Sequence, residues 1–137
     1  MIFDPCRNKW VSLTPEEWVR QNLLRYMLDD LQYPAGLVAT EMTLRINEQT
    51  RRVDIVVFNR QGKAVLLAEC KAPEINLTQK VFDQVSRYNW NLQVPYLLIS
   101  NGLKHYCAKI DRENNKYQFL DIIPDYTFLE SHSERSS

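Results

Sequence analysis

Glycine is scarce, with three in 137 residues, and none completes a G-x-x-x-x-G-K-[ST] phosphate loop or a G-x-G-x-x-G turn. Nucleotide hydrolysis is therefore not expected of this chain. Cysteine is equally sparse: Cys6, Cys70 and Cys107 are odd in number, far apart and without a C-x-x-C pair, which argues against a disulfide framework or a zinc site. The two histidines, His105 and His132, have no partner at ligand spacing. Net charge is also lacking, because 17 basic side chains face 17 acidic ones, so any contact with a polyanion must come from a local basic patch. No apolar run approaches the roughly 20 residues of a membrane span, and Met-Ile-Phe-Asp-Pro-Cys-Arg-Asn-Lys is too polar for a signal peptide. A cytoplasmic protein with reduced thiols and no membrane partner is expected.

What is present is enough for one core. Hydrophobic residues make up 45% of the chain and charged ones 25%, which fits a single globular domain over 1–130, with a polar tail at 131–137 expected to be disordered. Thr14-Pro15-Glu16-Glu17 reads as a helix start, with Thr14 as N-cap, Pro15 in the first turn and Glu17 closing a capping box. Val19, Leu23, Leu24, Met27, Leu28 and Leu31 then recur at helical spacing until Tyr33-Pro34-Ala35-Gly36.

Three strands follow at about Leu37–Ile46, Val53–Phe58 and Val65–Lys71, joined by short turns that imply an antiparallel meander. Thr78 caps a second predicted helix to about Asn91, and Tyr96-Leu97-Leu98-Ile99 is an apolar strand suited to a sheet interior. Segments around Tyr106–Ile110 and Tyr117–Leu120 form a C-terminal hairpin. The predicted class is α/β of the α+β kind, a central mixed sheet with flanking helices in the order α-β-β-β-α-β plus the C-terminal β-hairpin.

Asp54, Glu69 and Lys71 interrupt two of the apolar strands, where an unpaired charge costs several kcal/mol on burial. Residues two apart on a strand face the same side, about 6.6 Å along it, so Glu69 and Lys71 project together. If the strand bearing Asp54 pairs alongside, Asp54 meets Glu69 at roughly 5 Å, where two carboxylates repel unless a cation lies between them. A hard ion such as Mg²⁺, with Mn²⁺ as a substitute, would take oxygens from Asp54 and Glu69 and the main-chain carbonyl of Cys70. Lys71 would orient or deprotonate a water and offset charge on a phosphate, which points to phosphodiester hydrolysis.

The pattern of Asp54 followed by Glu69-Cys70-Lys71 resembles the PD-(D/E)xK nuclease superfamily, departing from it at Val53, where the family name has proline. It resembles more closely the N-terminal nuclease domain of type I restriction enzyme R subunits, which places Gln-x-x-x-Tyr on the next helix. Gln84-Val85-Ser86-Arg87-Tyr88 matches that motif, and i to i+4 spacing stacks Gln84 and Tyr88 on one face. The resemblance implies a restriction-endonuclease-like core, a Mg²⁺-dependent endonuclease acting on DNA, Gln84 and Tyr88 as helpers that position DNA or the catalytic groups, and other restriction or repair subunits as partners. It also implies a metal role for an acidic residue on the first helix, here Glu17, although the capping box alone accounts for Glu17. The motor domains of such subunits are not among these residues.

Other readings compete. The three charges would also suit a structural ion pair between strands, and the whole domain would also serve as a DNA-docking or protein-interaction module that keeps a nuclease fold without turnover. Glu41, on the first strand, is a weaker candidate ligand and is read in the main as a residue of a solvated face, Cys70 is read as a small core residue, and Trp18, Trp90 and Tyr96 are read as core or rim aromatics. Arg51, Arg52, Lys80, Arg87 and Lys104 are the candidates for a phosphate-binding face. A homodimer is compatible with double-strand cutting, but no residue pattern requires it.

Overall fold

Thr14 starts the first long helix as its type predicts: its Oγ1 accepts from the Glu17 amide at 3.1 Å, and Pro15 needs no partner at the first position. In the computed structural model, which describes residues 1–11, 13–46 and 48–133, this helix is α1 (Pro15–Asp29). It ends where Gln32 turns into the left-handed region at φ 59°.

The chain then builds β3 (Val38–Ile46), β4 (Gln49–Phe58) and β5 (Ala64–Cys70) as an antiparallel meander. Helix α2 (Gln79–Asn89) crosses over to β6 (Tyr96–Ser100), which runs parallel to β5, and β7 (His105–Asp111) and β8 (Lys116–Leu120) close the sheet as an antiparallel hairpin. The result is one mixed six-stranded sheet in the order β3-β4-β5-β6-β7-β8. Strand β4 begins four residues before its predicted start, because pairing with β3 continues to Ile46↔Gln49 and carries the polar segment Gln49–Arg52 into the ladder.

Alternate residues of the strands feed two cores. On one face Ile55, Val57, Ala68 and Leu98 pack against Val19, Leu24 and Met27 of α1; on the other, Val56, Leu67, Leu97 and Ala108 pack against Phe82 and Val85 of α2. Two elements were not foreseen. A small hairpin of β1 (Ile2–Asp4) and β2 (Lys9–Val11) precedes α1, and α3 (Tyr126–Ser133) adds Tyr126 and Leu129 to the α1 core. Helix α3 runs past Ser131, where disorder was expected; residues 134–137 of that tail lie outside the described residues. Among the described residues no helix is long and apolar enough to cross a membrane.

Candidate active site

The parallel pairing of β5 with β6 sets the site. Cys70 lies beside Ser100, and the Lys71 amide donates to the Ser100 carbonyl at 2.8 Å, so β5 holds its register up to the Glu-x-Lys segment. Helix α2 packs over the same face of the sheet. Between them lies a cleft of about 350 Å³ lined by Arg52, Glu69, Lys71, Val81, Gln84, Val85 and Tyr88. Thr78 Oγ1 caps α2 through the Val81 amide, and the four-residue spacing of Gln84 and Tyr88 brings both to the cleft.

The Glu69 carboxylate makes no hydrogen bond or ion pair among the described residues, while the Glu69 backbone pairs with Ile99 in the β5–β6 ladder. Burial, and next the charge of Asp54, push its carboxyl up to about 7, against the pull of Lys71. The Cys70 thiol points into the α1 core, where burial raises its pKa, consistent with a packing residue.

Asp54 stands beside the cleft rather than in its lining. The β4–β5 ladder ends at the pair Ile55↔Ala68, one residue short of Asp54 and Glu69, and beyond it the Cys70 amide donates to Asp54 Oδ2 at 2.7 Å. The other oxygen, Oδ1, accepts from Arg20 Nη2 at 2.8 Å. Arg20 also donates through Nη1 to Glu17 Oε2 and lies 3.5 Å from Glu41 Oε1. Arg7 spans the same acids from the other side, donating to Glu17 Oε1 and Glu41 Oε2 at 2.8 Å each and to Asp4 Oδ2 at 2.6 Å. Gln21 Nε2 joins Asp4 to Glu17. Burial opposes the Asp4 charge, but hydrogen bonds from Arg7, Gln21 and the Cys6 amide outweigh it and hold the carboxyl below its usual range.

The family model described as type I restriction enzyme R protein N terminus (HSDR_N) matches residues 15–124, from the start of α1 to the segment before α3. The chain belongs to this family. The match points to a restriction-related role. No curated protein matches the chain.

Within this R-protein N-terminal domain, the predicted site residues divide into three groups. Glu69, Lys71, Gln84, Tyr88 and Arg52 meet in the cleft, whereas Asp54 and Glu17 belong to the arginine network next to it. Arg51 is turned onto Tyr88: its guanidinium lies 4.4 Å over the ring, and its Nε donates to the Tyr88 carbonyl at 3.1 Å. Lys80 and Arg87 are exposed on α2, and Lys104 is exposed in the turn after β6, at the same end of the sheet as Lys71. Glu41 differs from its predicted solvated state, since Arg7, Arg20 and Arg52 all reach it.

Arg20, Arg7 and Asp4 were missed altogether. A signal existed for Arg20, because Glu17, Arg20 and Gln21 continue the core-facing line of Leu24, Met27 and Leu31 toward the start of α1 with polar residues. All three are buried.

Among the described residues no group of three or more His, Cys, Asp or Glu side chains is arranged to hold a metal. Mg²⁺, however, commonly takes only one or two carboxylates from a protein and fills its remaining positions with water and substrate phosphate. The Glu69 carboxylate, without a side-chain partner among the described residues and disfavoured as an anion first by burial and then by Asp54, fits that use; Asp54, whose oxygens accept from Arg20 and the Cys70 amide, would be the second carboxylate.

Proposed function

We propose that the chain is a Mg²⁺-dependent DNA-cleaving domain with a restriction-endonuclease-like core of the PD-(D/E)xK kind, working with other subunits of a type I restriction enzyme. The observation that carries this reading is the cleft in which Glu69, at the end of β5, and Lys71, just after it, face Gln84 and Tyr88 of α2. Family membership supports the same reading.

Asp54 and Glu69 would hold the ion, which when bound supplies Lewis-acid activation of a water and neutralises phosphate charge. Mn²⁺ would substitute. Lys71 places an ammonium beside Glu69, where it orients the water and offsets charge that grows on the phosphate. Gln84 offers amide donors from α2 to a phosphate oxygen, and Arg52, whose side chain is 71% exposed, reaches the rim of the same cleft to bind the backbone. Tyr88, braced by Arg51, forms the far wall. Lys80 and Arg87 extend the positive rim along α2, which gives a neutral chain the local patch that DNA binding needs.

Incubation with supercoiled, linear and single-stranded DNA in Mg²⁺ or Mn²⁺ tests this reading. Cleavage by the wild type should fall by at least about a hundredfold in Lys71→Ala and in Glu69→Gln, the scale of one lost electrostatic or acid–base contribution. Equal cleavage by all three proteins would remove the assigned site. A second reading, a DNA-docking module without turnover, draws on the Asp54–Arg20 pair, which already compensates one of the two carboxylates. Binding of DNA with no cleavage under any of these conditions would favour it.

A further inference from the structure

Arg20 is 5% exposed and its Nε is buried without a hydrogen-bond partner. Such an arginine gains its place from charge rather than from complete hydrogen bonding, because an unsatisfied buried donor costs stability. Three carboxylates converge on it: Asp54, Glu17 and Glu41. Arg7 supplies a second guanidinium to Glu17 and Glu41, so Asp54 is the acid that depends on Arg20 alone for an ion pair among the described residues. Burial works against the Arg20 charge, yet Asp54, Glu17 and Glu41 hold its pKa above the usual value, so it stays cationic throughout the working pH range.

We propose that Arg20 is the internal counter-cation of Asp54, a positioning residue that holds this carboxylate when no metal is bound and competes with a divalent ion for it. The inference rests on the reading of Asp54 and Glu69 as the metal-holding pair. A guanidinium 2.8 Å from Asp54 Oδ1 satisfies the same negative charge that would attract the ion, and two cations beside one carboxylate repel each other. Metal affinity is then set by α1 as well as by the cleft. Helix α1 contributes a guanidinium that the ion must work against.

Mn²⁺ titrations by calorimetry and by electron paramagnetic resonance of the free ion, on the full chain, test this directly. Arg20→Met should bind Mn²⁺ about tenfold more tightly than the wild type, Arg20→Lys should stay near the wild type, and Val19→Ala should match it as a control for core destabilisation. Mn²⁺ should also raise the melting temperature of Arg20→Met by more than that of Val19→Ala. Unchanged or weaker Mn²⁺ binding by a folded Arg20→Met overturns the proposal. A second measurement uses only the wild type: on Mg²⁺ titration the Arg20 Nε–H resonance should shift with the same midpoint as the Glu69 carboxyl carbon. A moving Glu69 with a still Arg20 removes this inference alone, whereas Mg²⁺ that moves neither removes the metal reading and the inference with it.

Discussion

Glu69 carries a charge in a place that resists it. Its carboxyl is pushed up to about 7 from an ordinary value of 4.5, first by burial and then by Asp54. The folded state therefore binds a proton that the unfolded state has already released between these two values, and stability falls as pH rises through that window. In a buffer free of divalent ions, Glu69→Gln should be more stable than the wild type at pH 8 and nearly equal to it at pH 4, as read by urea denaturation at each pH. Parallel pH profiles for the two proteins would contradict the placement of Glu69. The same residue explains what was legible at this scale. Asp54, Glu69 and Lys71 stood out because charge breaks an apolar strand pattern; the core-facing line of α1 marked Arg20 for burial, but nothing local named its partner Asp54, 34 residues later.

Helix α2 is where local rules and site geometry meet. Thr78 caps it, and the helix carries Gln84 and Tyr88 into the cleft on one stripe while Phe82 and Val85 face the sheet. Thr78→Ala should cost about 1 kcal/mol, the usual loss of a threonine N-cap, measured as a lower urea midpoint with an unchanged slope. A midpoint equal to the wild type would mean that the capping bond contributes nothing. Both long helices were readable from caps and apolar periodicity, and the strands from runs of β-formers. The β1–β2 hairpin was not, because strands of three residues each, separated by the turn Pro5-Cys6-Arg7-Asn8, present too few alternations to register. Helix α3 was hidden for a related reason: at eight residues it depends on packing of Tyr126 and Leu129 against α1, which lies almost a hundred positions earlier. Tyr33 reports that packing from the other side, donating its hydroxyl to the Pro124 carbonyl at 2.6 Å.

At the scale of the whole molecule, the balance of 17 positive and 17 negative side chains is not spread evenly. A continuous chain of ion pairs runs from Asp4 and Arg7 of the N-terminal hairpin, through Glu17, Glu41 and Arg20, to Asp54 on the sheet. The hairpin lies before the segment that the family model matches, yet Arg7 shares both Glu17 and Glu41 with Arg20. Residues that share partners couple energetically, whereas independent ones add. Removing Arg7 leaves Glu17 and Glu41 leaning more heavily on Arg20, so the loss of the second arginine should then cost more than it does alone. A double-mutant cycle of Arg7→Met and Arg20→Met, measured by urea denaturation, should accordingly return an interaction energy of about 0.5–3 kcal/mol. Additivity within about 0.3 kcal/mol would show that the hairpin is a separate attachment, and that Asp54 is held by α1 without help from the first eleven residues.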